Sequence, residues 1–449
     1  MDYDAALAFW FGRIDHERRQ AAPGDWSLER MRALLRLVGD PHLRLRIIHI
    51  TGSKGKGSTA AFCAAMLRAA GYRVGLYTSP HLTHLEERVQ IDGVPISRPE
   101  LAAVLTELAT AEQQLVASGG GRPSFFEIAT AIGFVHFAWR RCDWVVLEVG
   151  LGGRFDATNV CRPAVSILTS ISHEHTRILG EHLHQIAFEK AGIIKPRVPA
   201  LSGATDPAAR AVIQRSATER HAPLWELHHD LHVRYTPGCY TANAAPQLPT
   251  VQVTLPTGAL PAWPIGLHGA HQAENAALAV AALVRLTQRG VPIAPAAFAA
   301  GLANVRWPGR LEVVGRHPWI VIDCAHNGAS ATALVETLRQ TFPTARRWWL
   351  VFAVAADKDL ATLAQAFAPH FAGVELTRFA SSPRAVPPAE LHGRLAHLTP
   401  GWPTRTHEVA AHALAAARAQ VGPDDLICVA GSVYLAGELR PVLVEATDE

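Results

Sequence analysis

The stretch LRIIHITGSKGKGS, residues 45–58, decides the fold class of this chain. Leu45–Ile50 is a β-rich run of strand length, and glycines at 52, 55 and 57 mark a turn. The alanine-rich residues from about Ser58 to Ala70 predict a helix. Strand, glycine turn and helix together open an α/β sheet. The turn also carries chemistry. Glycines let backbone N–H groups converge on anionic oxygens, and the helix N-terminus adds partial positive charge. Gly52, Ser53, Gly55, Lys56, Gly57 and Ser58 are therefore expected to cradle phosphates, with Lys56 reaching the β/γ-phosphates and the Ser58 hydroxyl on Mg²⁺. The spacing departs from G-x-x-x-x-G-K-[ST], because position 50 is isoleucine and Gly57 separates Lys56 from Ser58. The plain alternative is a glycine turn with solubilising lysines. A phosphate loop fits kinases, GTPases, ATPases and ligases alike, but no asparagine here precedes a lysine, so the guanine-reading N-K-x-D is missing.

Outward from this unit the α/β rhythm continues. Strands are expected at Arg73–Tyr77, Trp144–Glu148 and Ala164–Thr169, with helices at Pro99–Ala117, Phe126–Arg140 and near His184–Ala191. Residues 222–265 are proline-rich, and Val251–Leu255 alternates as an exposed strand would, so this region is expected to be a β-rich excursion ending the first sheet. Helices His271–Gln288 and Pro295–Ala303 follow. The rhythm then restarts, with strands Trp319–Asp323, Trp348–Ala353 and Leu426–Ala430 and helices Ala329–Gln340, Leu360–Phe367 and Val409–Gln420. The expected architecture is α/β. An N-terminal P-loop ATPase domain with a mostly parallel sheet covers 1–303, and a smaller doubly wound C-terminal α/β domain covers 304–449.

Composition bounds the partners. Apolar residues are 49% of the 449 and charged residues 18%, enough for large cores and against disorder. A net charge of +3 gives no electrostatic case for nucleic acid. The six cysteines show no C-x-x-C pair, which fits reduced thiols in a cytoplasmic protein. The start MDYDAALAFW lacks a basic region ahead of an apolar one, arguing against a secretory signal. The longest uncharged apolar run, Ala276–Val284, has nine residues, against the ~20 needed to span a bilayer. A soluble protein is expected.

Several segments in order resemble the folylpolyglutamate synthase/dihydrofolate synthase family, a branch of the Mur ligases. They are TGSKGKGS (51–58), TSPHL (78–82), FFE (125–127), EVGLGGRFDATN (148–159), ISHEHTRILG (171–180), FEKAGIIKP (188–196) and HQAENAALA (271–279). WPGRLE (307–312), DCAHNG (323–328), ADKDL (356–360) and GSVYLAGE (431–438) continue the series. The resemblance implies a ligase that phosphorylates a folate-side carboxylate with ATP and joins it to L-glutamate. The carboxylate is that of dihydropteroate or a reduced folate. It implies one or two Mg²⁺ ions held by Ser58, Glu148, His175 and Lys190, the last carbamylated, and a monomer. Asn275 is implied on the adenine side, with Arg310, Asp323 and His326 closing on the nucleotide from the second domain. Lys56, Glu148, His175, Lys190 and His326 are the implied catalytic set, and Lys358 and Ser432 are weaker candidates.

Some of these assignments have support from the residues themselves. Glu148 ends an apolar strand beside a glycine turn, where open α/β sheets place ligands, and oxygen suits Mg²⁺. An amide such as that of Asn275 both donates and accepts. His271 and Gln272 could instead cap their helix, and His173, His182 and His184 read as exposed polar groups. Arginine's fork matches phosphate at Arg310. The sequence departs from the family pattern at Glu174 (for aspartate), Cys324 (for glycine) and Gly328 (for proline), and altered loop stiffness is expected from the last two. The competing readings are another Mur-type amino-acid ligase, a non-catalytic nucleotide-binding regulator and a metabolite kinase.

Overall fold

The computed structural model describes residues 1–13, 27–241 and 245–445. Eight strands form the first sheet: β1 (Ile47–Thr51), β2 (Val74–Tyr77), β3 (Val89–Ile91), β4 (Val94–Pro95), β5 (Trp144–Glu148), β6 (Pro163–Leu168), β7 (Ala200–Ser202) and β8 (Leu224–Glu226). Their order is β4-β3-β2-β5-β1-β6-β7-β8. The run from β2 to β8 is parallel, and only the β2–β3–β4 edge is antiparallel. β1 and β5 are buried at every position. Helices cover both faces, and strands so enclosed read as continuous apolar runs rather than alternating ones. Helices Lys56–Ala69, Ala270–Thr287 and Pro295–Asn304 pack on one face. Arg98–Ala117 and Phe125–Trp139 pack on the other. The last two start where Ser97 and Ser124 pair with Glu100 and Glu127 in reciprocal capping boxes.

The β-rich excursion differs from expectation. β8 still belongs to the parallel sheet, whereas β9 (His232–Thr236), β10 (Thr250–Leu255) and β11 (Gly258–Pro264) make a separate antiparallel sheet. Val251, Val253 and Leu255 of β10 are buried in the main core, so the alternation marks a strand covered on one face.

The third sheet runs β12-β13-β17-β14-β15-β16, from β12 (Glu312–Arg316), β13 (Trp319–Ile322), β14 (Trp348–Phe352), β15 (Gly373–Leu376), β16 (Thr404–Thr406) and β17 (Leu426–Ala430). Only β12 is antiparallel to its neighbour, and an apolar cluster lies on each face. The TSPHL loop joins the two units. Glu87 accepts from the N–H groups of Leu82, Thr83 and His84, while Leu82 packs against the second unit's core. Gly437 on the last helix allows that contact, because a Cβ there would lie 1.9 Å from the Leu82 carbonyl oxygen. Tyr240 makes a second bridge. Its N–H donates to the Thr341 carbonyl at 2.7 Å, and its ring stacks on Phe342 at 5.4 Å.

Candidate active site

The loop Thr51–Ser58 leaves the carboxyl end of β1 and enters its helix at Lys56, with Gly55 as N-cap at φ +85°. A Cβ at Gly55 would stand 2.2 Å from Asn275 Oδ1. Not every loop N–H is aimed at a ligand. Ser53 N donates to the Ser170 carbonyl at 2.7 Å and Lys54 N to Ser170 Oγ at 2.9 Å. Ser53 Oγ is tied to the Ser172 backbone as well. Ser53 thus braces the loop against the segment after β6, and the N–H groups that lack intrahelical acceptors are those of the helix's first turn. Ser58 lies in that turn and is buried.

Positive charge is concentrated here. Lys56 Nζ and Lys190 Nζ both donate to the Gly52 carbonyl, each at 3.0 Å. Lys190 is buried and also pairs with Glu174 at 2.8 Å. Burial lowers the Lys190 pKa to about 8 against the pull of Glu174. Glu174 is itself held below the usual carboxylate range: burial opposes this, and Lys56 and Lys190 outweigh it. Glu174 is therefore the counter-charge of Lys190. His175 follows in a left-handed conformation, φ +46°, at the head of a short helical turn. Its ring is exposed by area, yet loss of hydration lowers its pKa, with Glu174 opposing and Lys56 and Lys190 adding. His173, His182 and His184 are exposed, as expected, and the rings of the last two stack.

Glu148 closes β5 and is buried, its Oε2 accepting from Ser79 N at 3.1 Å. Burial pushes its pKa up to about 7, against Lys56, the Ser79 N–H, Arg310 and Arg88. Glu148, Gly57, Ser79, Trp307, Arg310 and Cys324 line one cavity of about 700 Å³, so residues of both units face the same space. Behind Arg310, the Asp323 carboxylate accepts from Leu311 N and Ala325 N, which makes it an organiser of the two loops. His326 Nδ1 lies 2.8 Å from the Cys324 carbonyl. Burial, then Lys54, lowers its pKa to about 4, which leaves the imidazole neutral.

The remaining candidates take these places. Asn275 Nδ2 donates to Gln272 Oε1 at 3.0 Å, and its Oδ1 faces the phosphate loop. The helix has Gly269 as N-cap with no side-chain cap, so His271 and Gln272 do not cap it. Lys358 pairs with Asp357 at 2.9 Å. Ser432 is buried and its Oγ accepts from Tyr434 N. Gly328 starts the helix Gly328–Thr341, and a Cβ there would meet Thr362 Cβ at 2.7 Å, so close packing explains its departure from proline. Sequence reasoning missed Asp156, whose carboxylate accepts from Gly150, Leu151 and Thr158 N–H groups and shapes the GLGG turn. It also missed Ser170 and Thr169, the latter bonding the Lys54 carbonyl. The hydroxyl-rich run directly after β6 was the available signal.

The donor set fits Mg²⁺ in part. Ser58 and Glu148 offer hard oxygens, while no three His, Cys, Asp or Glu side chains cluster as a metal cage among the described residues. Ser58 and Glu148 are the residues that would hold such an ion, and its charge would offset that of phosphate oxygens. Lys190 as it stands donates hydrogen bonds to Glu174 and Gly52 and is no ligand; only carbamylation would make it one.

Comparison with known proteins supplies the family. The Mur ligase middle domain matches residues 50–283, and the Mur ligase glutamate ligase domain matches residues 309–433. The dihydrofolate synthase/folylpolyglutamate synthase of Bacillus subtilis is 34% identical over 447 residues, covering 98% of each chain. This chain belongs to the folylpolyglutamate synthase/dihydrofolate synthase family of Mur ligases. Its fold follows the family closely. The folylpolyglutamate synthase of Mycobacterium tuberculosis, solved with ADP and AMPPCP, superposes with a TM-score of 0.86 at 33% identity, covering 98% of this chain and 99% of that one. E. coli FolC with DHPP and ADP gives 0.84 at 27% identity, covering 100% and 99%. Family membership makes the chain an ATP-dependent ligase.

Proposed function

We propose that the protein adds L-glutamate to the carboxylate of dihydropteroate or of a reduced folate, with ATP forming an acyl phosphate first. The reading rests on one observation above all: Lys56 and Lys190 converge on the Gly52 carbonyl, beside a cavity that Glu148 and Arg310 line from the two units. Such a concentration of cations at a helix N-terminus favours a polyphosphate. In this scheme the chain works as two units, 1–303 and 304–449, as a cytosolic monomer whose six cysteines remain free.

Lys56 and the first-turn N–H groups hold the transferring phosphoryl group. Ser58 and Glu148 hold Mg²⁺, which when bound would neutralise charge on the phosphates. His175 and a carbamylated Lys190 would hold a second ion. Carbamylation needs the neutral amine, and burial has already lowered the Lys190 pKa to about 8. Asn275 lies beside Gly55, on the adenine side of the loop. Arg310, oriented through Asp323, and the neutral His326 approach from the second unit. Contacts from both units favour closure, which keeps water from the acyl phosphate. The glutamate amine then attacks the acyl carbon, and the C–O bond to phosphate breaks. The cavity beneath Ser79 and Trp307 is the place for the pteroyl substrate.

The test is ATP consumption with dihydropteroate, dihydrofolate and tetrahydrofolate, each against a panel of amino acids. Turnover with a pteroyl substrate and glutamate is expected. Turnover only with another acceptor, or none with any, refutes the substrate assignment.

A further inference from the structure

At the amino ends of the strands, away from the cleft, a second cavity of about 600 Å³ opens. It lies between the helix Glu29–Leu37, the turn Pro41–Arg44 that leads into β1, the start of β6 and the segment 195–198 ahead of β7. β1 separates it from the phosphate loop by five residues, roughly 16 Å at the usual rise per strand residue.

The lining is strongly basic. Arg32, Arg36, His42, Arg162 and Lys195 line the space, with Asp40 as the one acidic lining residue among the described residues. Arg32 leans on Glu29 at 2.6 Å. Among the described residues Lys195 Nζ meets only neutral acceptors, the Asn159 carbonyl at 3.0 Å and Asn159 Oδ1 at 2.7 Å. Arg36 and Arg162 stand exposed at the mouth. Like charges on an open surface would simply be solvated. Two features set this place apart. The groups line a concave space of the size that holds small ligands. In its wall, Lys195 is half-buried, and among the described residues its ammonium meets no carboxylate. An ammonium taken partly out of water without a counter-charge is costly, and an anion would supply that charge.

We propose that this cavity binds a small polyvalent oxyanion, separate from the nucleotide. Guanidinium forks from Arg36 and Arg162 suit phosphate or carboxylate oxygens, and Lys195 supplies a point charge. The site is wired to the cleft. Lys195 holds Asn159, whose Nδ2 donates to the carbonyls of Arg154 and Gly192, and Gly192 caps the helix that carries Lys190.

The test uses the full chain saturated with Mg²⁺ and AMPPCP, so that the nucleotide site is filled. Inorganic phosphate and glutarate are titrated separately by calorimetry at fixed free Mg²⁺ and ionic strength. The probes distinguish a phosphate from a carboxylate source. The expected result is saturable binding of one of them, weakened tenfold or more in Arg36→Gln/Arg162→Gln and retained in Lys56→Ala. Both arginines are exposed, so the double variant is expected to keep its Tm and its basal turnover. Absence of saturable binding by either probe, or binding indifferent to the two arginines, overturns the proposal. Loss of binding in Lys56→Ala also overturns it, because the anion would then sit at the phosphate loop.

Discussion

Replacing Glu148 with glutamine should make the ligand-free protein more stable at alkaline pH while removing its activity. Folding carries the carboxyl pKa from 4.5 to about 7, chiefly by burial. The folded state therefore holds the proton more tightly than the unfolded one. That contribution to stability is fully present below pH 4.5 and is lost as pH rises through 7. At 1.36 kcal/mol per pH unit the loss is about 3 kcal/mol. Glu148→Gln keeps the shape and the acceptor for Ser79 N but never ionises. The variant should match wild type near pH 4.5 and exceed it by about 3 kcal/mol at pH 8, or several degrees in Tm at about 2 °C per kcal/mol. Mg²⁺ and AMPPCP should reverse the order, since they stabilise only the protein that binds them, by about 4.1 kcal/mol at a thousandfold excess over Kd. Turnover should fall at least about 100-fold, the scale for losing one transition-state contact. Differential scanning fluorimetry at both pH values, with and without nucleotide, reads all of this. A variant destabilised equally at pH 4.5 and 8 would refute the reasoning, because the buried charge would then not be the source of strain.

Gly55→Ala should weaken AMPPCP binding tenfold or more, measured by calorimetry, because its Cβ would displace Asn275 and its φ of +85° is left-handed. Gly71→Ala, at φ +87° with open space around it, should cost only the conformational term of roughly 1–2 kcal/mol. Glu174→Gln leaves the ammonium of Lys190, 2% exposed, without its counter-charge, and should lower stability by about 3 kcal/mol. Adding Lys190→Met should restore most of that loss in thermal unfolding. Lys56→Ala should abolish ATP turnover while leaving Tm within a degree or two of wild type, an outcome read by the same two assays.

The main sheet was legible because its strands are enclosed on both faces, so Trp144–Leu147 stands out as an apolar run and Ile47–Ile50 as one interrupted only by the buried His49. Glu148 and Lys56 could be placed because each sits at the end of such a run. Edge strands such as Ala200–Ser202 and Thr404–Thr406, three residues each, are too short to show any period. The excursion was misjudged for a related reason. Alternation in Val251–Leu255 was taken for exposure, whereas it records one face packed on the core. Ser53 shows the limit for sites. Its position in the loop suggests a phosphate contact, but its N–H and hydroxyl are taken by Ser170 and Ser172, more than a hundred residues away. The same holds for Glu174 and Lys190, whose pairing depends on two elements packing together.

The most direct measurement follows oxygen from the carboxylate. With both carboxylate oxygens of the pteroyl substrate labelled with ¹⁸O, single-turnover reaction with ATP and glutamate should release phosphate carrying one labelled oxygen, the other staying in the amide carbonyl. Phosphate free of label alongside normal amide formation would show that the carboxyl oxygen never received the phosphoryl group, and would contradict the account.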